Sequence, residues 1–88
     1  MPSVTVVAIS DGKDSDYDPS LAVLDSGEVC VAWYGFRDGN YDVYLRRCAP
    51  SGKWTDVQRL TEAPTVDRHP MLFSRGDDLW MAYENAQT

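Results

Sequence analysis

The feature that most constrains this chain is internal, because the sequence repeats itself. Shifted by 51 positions, Val6 falls on Val57, Ile9 on Leu60, Ser10 on Thr61 and Asp11 on Glu62. Asp16 then meets Asp67, Pro19 meets Pro70 and Leu21 meets Leu72. With one residue removed at the Asp25 turn, Val29 meets Leu79, Val31 meets Met81, Ala32 meets Ala82 and Trp33 meets Tyr83. Chance seldom keeps one register across two strands, a loop and a turn. A repeat of this kind is a unit that buries its faces against copies of itself.

What each unit contains follows from local pattern. The stretch Gly27–Arg47 reads as a β-hairpin. Glu28–Tyr34 and Tyr41–Arg47 are rich in β-branched and aromatic residues, and Phe36-Arg37-Asp38-Gly39-Asn40 supplies residues that tolerate a tight reversal. Further strands are expected at Val4–Ile9, Pro19–Leu24, Trp54–Leu60, Met71–Ser74 and Leu79–Tyr83, with loops over Ser10–Asp18 and Thr61–His69. No stretch keeps helical periodicity over ten residues, so the expected class is all-β. By alternation Val29, Val31 and Trp33 share one face of their strand, and Cys30, Ala32 and Tyr34 share the other. Both faces are apolar, as in a sheet held between neighbours.

A period of about 51 residues holding four antiparallel strands has the size of a β-propeller blade. On that reading 19–60 is a complete blade with strands a to d, 4–9 is strand d of a preceding blade, and 71–84 is strands a and b of a following one. The whole of 1–88 is then a single propeller fragment. Such a fragment is expected to expose apolar faces and an open edge, and to self-associate as a homo-oligomer.

Composition narrows the partners. Fourteen acidic against eight basic residues give a net charge of −6, which argues against a nucleic-acid backbone. No run of 18 apolar residues suggests a membrane span, and MPSVTVVAIS lacks the pattern of a secretion signal. Cys30 is expected opposite residue 45 or 46, not opposite Cys48, so the two cysteines read as buried free thiols. No Cys/His cluster implies zinc, and no cofactor is expected.

Asp16–Leu60 resembles the repeats of sialidase-like propellers of the BNR, or Asp-box, type. The residues that carry the resemblance are Asp18-Pro19-Ser20-Leu21-Ala22-Val23, Val31-Ala32-Trp33-Tyr34 and Gly39-Asn40-Tyr41-Asp42-Val43-Tyr44. Ser51-Gly52-Lys53-Trp54 is similar to the end of the family's box, although Cys48-Ala49-Pro50 stands where its Asp belongs. The resemblance implies a blade fold, and a ligand face formed by the d–a and b–c loops. Blades of this kind occur in glycosidases, lectins and scaffolds alike.

On that face the candidate ligand residues are Asp16, Tyr17, Arg37, Asp38, Asp67 and Arg68. Aromatic rings beside carboxylates and Arg suit a carbohydrate. The competing reading makes Asp16 and Asp67 structural, because they recur at the same place in each repeat. Asp14-x-Asp16-x-Asp18 opens like a calcium loop, but Pro19 stands where such loops need Gly, so no metal is expected. His69 has no nucleophile partner in a recognisable motif. Arg37, Arg68 and Arg75 lie outside the Arg-Ile-Pro signature of the sialidases. The expected role is therefore non-catalytic, with carbohydrate or protein binding as alternatives.

Overall fold

The computed structural model describes residues 7–10, 15–37, 39–61 and 65–87. Their strands are β1 (Ser15–Val23), β2 (Val29–Arg37), β3 (Asn40–Cys48), β4 (Gln58–Arg59), β5 (Thr65–Arg75) and β6 (Asp78–Gln87). They form two antiparallel sheets, a four-stranded meander β1-β2-β3-β4 and a hairpin β5-β6. No described residue is helical. The expected class, all-β and antiparallel, is what the chain adopts.

The central hairpin is the most regular element. β2 and β3 pair from Val29↔Cys48 to Arg37↔Asn40 without a bulge. Gly39, at φ 80°, takes the left-handed backbone that reverses the chain. Cys30 lies opposite Arg47 and Cys48 opposite Val29, so Cys30 sits one or two residues from its expected register. Both thiols are free, Cys30 buried and Cys48 only partly so.

The internal repeat is also a repeat of strand register. Leu21 faces Val31 in β1–β2, and Leu72 faces Met81 in β5–β6. Tyr17 faces Tyr34, and their counterparts Arg68 and Glu84 also face each other. Each ladder breaks once, between Tyr17 and Ser20 and between Arg68 and Met71. At those breaks Asp18 (φ 44°) and His69 (φ 55°), which are 51 positions apart, both take left-handed backbone. That conformation costs a side-chain-bearing residue about 1–2 kcal/mol. The two hairpins therefore share even their irregularity.

The sheets meet along one apolar seam. Ala22, Leu24, Cys30, Ala32, Leu45 and Leu72 are buried together, with Leu60, Leu79 and Met81 packed against them. On the other face of the larger sheet Val31, Trp33 and Tyr44 form a second cluster with Ile9, Val29 and Trp54. The two apolar faces expected of β2 are thus the two faces buried. Polar bonds hold the seam in register: the Asp25 amide donates to the Gly76 carbonyl (3.0 Å) and the Ser26 amide to Asp77 Oδ1 (2.8 Å). The Leu72 amide donates to Ser20 Oγ at 2.9 Å, close to the centre of the interface.

Several boundaries differ from those expected. β1 and β5 begin well before Pro19 and Met71, so Ser15–Asp18 and Thr65–His69 are strand and not loop. The bulge just before each proline lets the strand continue past a residue that has no N–H to donate. The strand expected at Trp54–Leu60 shrinks to Gln58–Arg59 and a single bridge from Trp54 to Cys48. Main-chain bonds persist from the Thr55 amide to the Arg47 carbonyl and from the Leu60 amide to the Val43 carbonyl (2.8 Å each), and side chains take the other half: Thr55 Oγ1 accepts from the Arg47 amide (3.0 Å), and Thr61 Oγ1 from the Val43 amide (3.0 Å). Of the strand expected at Val4–Ile9, residues 4–6 lie outside the described residues and Val7–Ile9 are not strand. Trp33 is 4% exposed, whereas its counterpart Tyr83 is 42% exposed, so only the first is core.

Leu72 and Met71 are neighbours on opposite faces of β5, the first buried and the second exposed. Leu72→Ala should lower the unfolding free energy by about 2–4 kcal/mol. Met71→Ala should cost less than about 1 kcal/mol. Urea titrations of the two variants measure this, and equal losses would contradict the assigned seam.

Candidate functional site

The ladder geometry brings most of the candidate residues to one end of the sheets. Asp16 and Tyr17 lie on β1 opposite Gly35 and Tyr34, while Arg37 closes β2. Asp67 and Arg68 lie on β5 opposite Asn85 and Glu84. Asp38 lies outside the described residues, as does Asp14 of the acidic run. Arg75 is at the far end of β5, seven residues from Arg68, or roughly 23 Å of extended strand. The three arginines therefore do not converge on one ligand group.

At this end five rings lie in sequence. Tyr17 stacks on Tyr34 with centroids 5.1 Å apart, and Tyr41 lies 6.1 Å from Tyr34 and 5.1 Å from Phe36. His69 adds its imidazole 5.0 Å from Tyr34. Tyr34 is buried beneath the group, whereas Tyr17 and Phe36 are exposed. Cross-strand pairing explains the row, because Tyr17↔Tyr34 and Phe36↔Tyr41 are opposed residues whose side chains share a face.

Charged groups surround the rings. His69 Nδ1 lies 2.7 Å from Asp18 Oδ2, joining the left-handed residues of the two repeats. Arg68 Nη2 donates to Glu84 Oε1 at 3.3 Å. The Arg37 guanidinium lies 4.7 Å from the centre of the Tyr44 ring. Asp67 is fully buried, and its Oδ1 accepts from Asn85 Nδ2 at 2.6 Å, whereas Asp16 is only partly buried. The repeated aspartate thus ties β5 to β6 through its side chain in the second repeat. In the first, Gly35 stands where Asn85 would supply that amide.

Two contributors lie outside the set of expected ligand residues. His69 has no catalytic partner in the sequence, yet its counterpart position, 51 residues earlier, is Asp18, the residue it meets. Asp42 is fully buried at the start of β3 and accepts from Arg59 Nη2 and, at 3.3 Å each, from Asn40 Nδ2 and Thr61 Oγ1. It ties β3 to Arg59 of β4 and to Thr61 just after it, a structural task. Its signal was the polar residue breaking the apolar alternation of Tyr41–Leu45.

Chemically the end is a stacking surface with acceptors (Asp18, Glu84) and donors (Arg68, His69) at its border. No known protein family, curated protein or solved structure matches the chain. The class established is an all-β protein of two antiparallel sheets, four and two strands in size.

Burial raises the pKa of the Tyr34 phenol above the usual tyrosine value, and the Asp18 carboxylate raises it further. The phenol is neutral when protonated, so a raised folded pKa favours folding most below the unfolded value of about 10. That contribution disappears as pH climbs through the higher folded value. Ultraviolet titration, read as the difference from Tyr34→Phe, should place the Tyr34 ionisation above the ordinary tyrosine value, and Asp18→Asn should bring it down. A Tyr34 that titrates at the ordinary tyrosine value, unaffected by Asp18→Asn, would contradict the burial described.

Proposed function

We propose that this chain is a non-catalytic stacking unit of β-propeller type, a blade with half of the next, whose role is assembly through its sheet faces. The observation that carries the reading is the equivalence of the two hairpins. The seam already joins the Leu72–Leu79–Met81 face of one repeat to the Ala22–Cys30–Ala32 face of the other. Val31 and Val29, the counterparts of Met81 and Leu79, are covered in the second cluster, and the rest of the two counterpart faces remains open. Leu21, the counterpart of Leu72, is 61% exposed and Val23 beside it is also exposed. Phe73 and Trp80, the counterparts of Ala22 and Cys30, are exposed and stack on each other at 6.2 Å.

A second copy fits between these faces by repeating a contact that the chain makes with itself. Ile9 covers the Val31–Trp33 end of the larger sheet, and Leu21 and Val23 stay free. The contact is heterologous, the Leu21 face of one copy on the Phe73 face of the next, and it closes into a ring or grows as a filament.

Light scattering over a concentration series tests this. Mass should rise above that of the 9.9 kDa chain, and Leu21→Lys or Phe73→Lys should each lower it. Mixing the two variants should raise it again, because each retains the face the other lacks. A wild-type monomer at all concentrations, or a mixture no larger than its components, would refute face stacking.

A second reading is supported by the exposed Tyr17 and Phe36 rings beside Asp18 and Arg68. It assigns carbohydrate binding to that end, by stacking of sugar on ring. Aromatic NMR shifts of Tyr17 and Phe36 would move on addition of neutral and acidic monosaccharides, and unmoved shifts at millimolar sugar would dispose of it.

A further inference from the structure

We infer that the cavity between Ile9–Ser10 and the Asp16–Trp33 face of the larger sheet binds a small amine that also carries a hydroxyl group. The cavity measures about 270 Å³, and both of its walls come from this chain. Ile9, Pro19 and Val31 give it apolar sides, Ser10 adds a hydroxyl, and Asp16 and Trp33 bring the remaining polar groups. It lies on the opposite face from the ring row, because Asp16 and Trp33 alternate along their strands with Tyr17 and Tyr34. Neither carbohydrate binding at the rings nor stacking of copies is needed for it.

Two buried polar atoms mark the site. Trp33 is 4% exposed, and its Nε1–H has no hydrogen-bond partner among the described residues. Asp16 Oδ1 is also buried and, among the described residues, without a partner. Buried polar groups are hydrogen-bonded as a rule, since one left unpaired keeps its full desolvation penalty. The second repeat shows what Asp16 lacks. Its counterpart Asp67 accepts from Asn85 Nδ2 at 2.6 Å, across the ladder position at which Asp16 faces Gly35. Glycine has no side chain to donate. The first repeat therefore keeps the carboxylate, omits the internal donor and has a cavity beside it.

The two atoms specify the ligand. Among the described residues that line the cavity Asp16 alone is charged, so its carboxylate calls for a cationic donor, which an ammonium group provides. An ammonium has no lone pair to accept from the Trp33 indole, which acts only as a donor. A ligand carboxylate in that place would set a like charge beside Asp16. A hydroxyl oxygen accepts from the indole without adding charge. Gly35, opposite Asp16, is two residues from Trp33, so Asp16 and Trp33 are diagonal neighbours on one face, roughly 7–8 Å apart at Cα. A short link between nitrogen and oxygen reaches both, and an apolar body packs on Ile9, Pro19 and Val31.

The test is titration of the isotope-labelled full chain with phenylethanolamine, followed through the Trp33 Nε1–H resonance. The resonance should shift saturably, with half-saturation at about 1 mM or below. Phenethylamine lacks the hydroxyl and phenylethanol lacks the amine, and each should bind at least about tenfold more weakly, because each leaves one buried group unpaired. Asp16→Asn should weaken phenylethanolamine by at least about tenfold and leave phenylethanol unchanged, with the circular dichroism of the fold retained. The comparison of the three ligands needs no variant, so it holds whatever Asp16→Asn does to stability. Phe73→Lys, which removes face stacking, should bind phenylethanolamine as the wild type does. The absence of a saturable shift up to about 10 mM, as when water alone fills the cavity, would overturn the proposal. So would equal binding of the three ligands, undiminished binding by Asp16→Asn, or loss of binding in Phe73→Lys.

Discussion

Leu72, Leu79 and Met81 press against Ala22, Cys30, Ala32 and Leu45, and the rest of the structure depends on that seam. A two-stranded hairpin is marginal alone in water, so β5–β6 needs an apolar surface to persist. Burying a side chain the size of Leu contributes about 1.5–3 kcal/mol, and three such residues suffice to hold a hairpin onto a larger sheet. The small side chains of Ala22 and Ala32 let the sheets approach, and the branched and sulfur-bearing side chains opposite fill the gap. Hydrogen bonds between the β1–β2 and β5–β6 turns then fix the register that the apolar contact leaves loose.

That register is what makes the two hairpins equivalent. Asp25 to Gly76, Ser26 to Asp77 and Asp18 to His69 each join residues 51 positions apart. Stacked repeats related by one rigid displacement produce this pattern, because each point of a unit then meets its own counterpart. The shared left-handed residues at 18 and 69 belong to the same logic. Strain tolerated twice at one place in the repeat is supported by its surroundings, here by the contact between Asp18 and His69. A ring cluster grows beside it because β1, β2 and β3 all present an aromatic residue at that end.

Much of this was legible in the sequence. The central hairpin was visible because Gly39 marks the turn and Val29–Tyr34 alternates between two apolar faces. The repeat was visible because the apolar residues of the seam recur at 51 and 50. The outer halves of β1 and β5 were hidden. Polar residues before Pro19 and Pro70 look like loop, and only a bulge reconciles them with a strand. The end of the first repeat is less regular than its sequence suggests: Trp54–Leu60 is apolar enough for a strand, but the Thr55 and Thr61 hydroxyls accept from the Arg47 and Val43 amides where a regular ladder would offer carbonyls. The pairing of His69 with Asp18 required knowing that equivalent positions touch, which depends on how the sheets stack.

The central claim is that the two hairpins stack with equivalent residues in contact. Nuclear Overhauser measurements on the labelled chain test it most directly, through the rings and methyls between the sheets. The account predicts contacts of His69 with Tyr34, of Leu72 with Ala22 and Ala32, and of Ser26 with Asp77. Hairpins that keep their own cross-strand contacts but show none between the two sheets would contradict it.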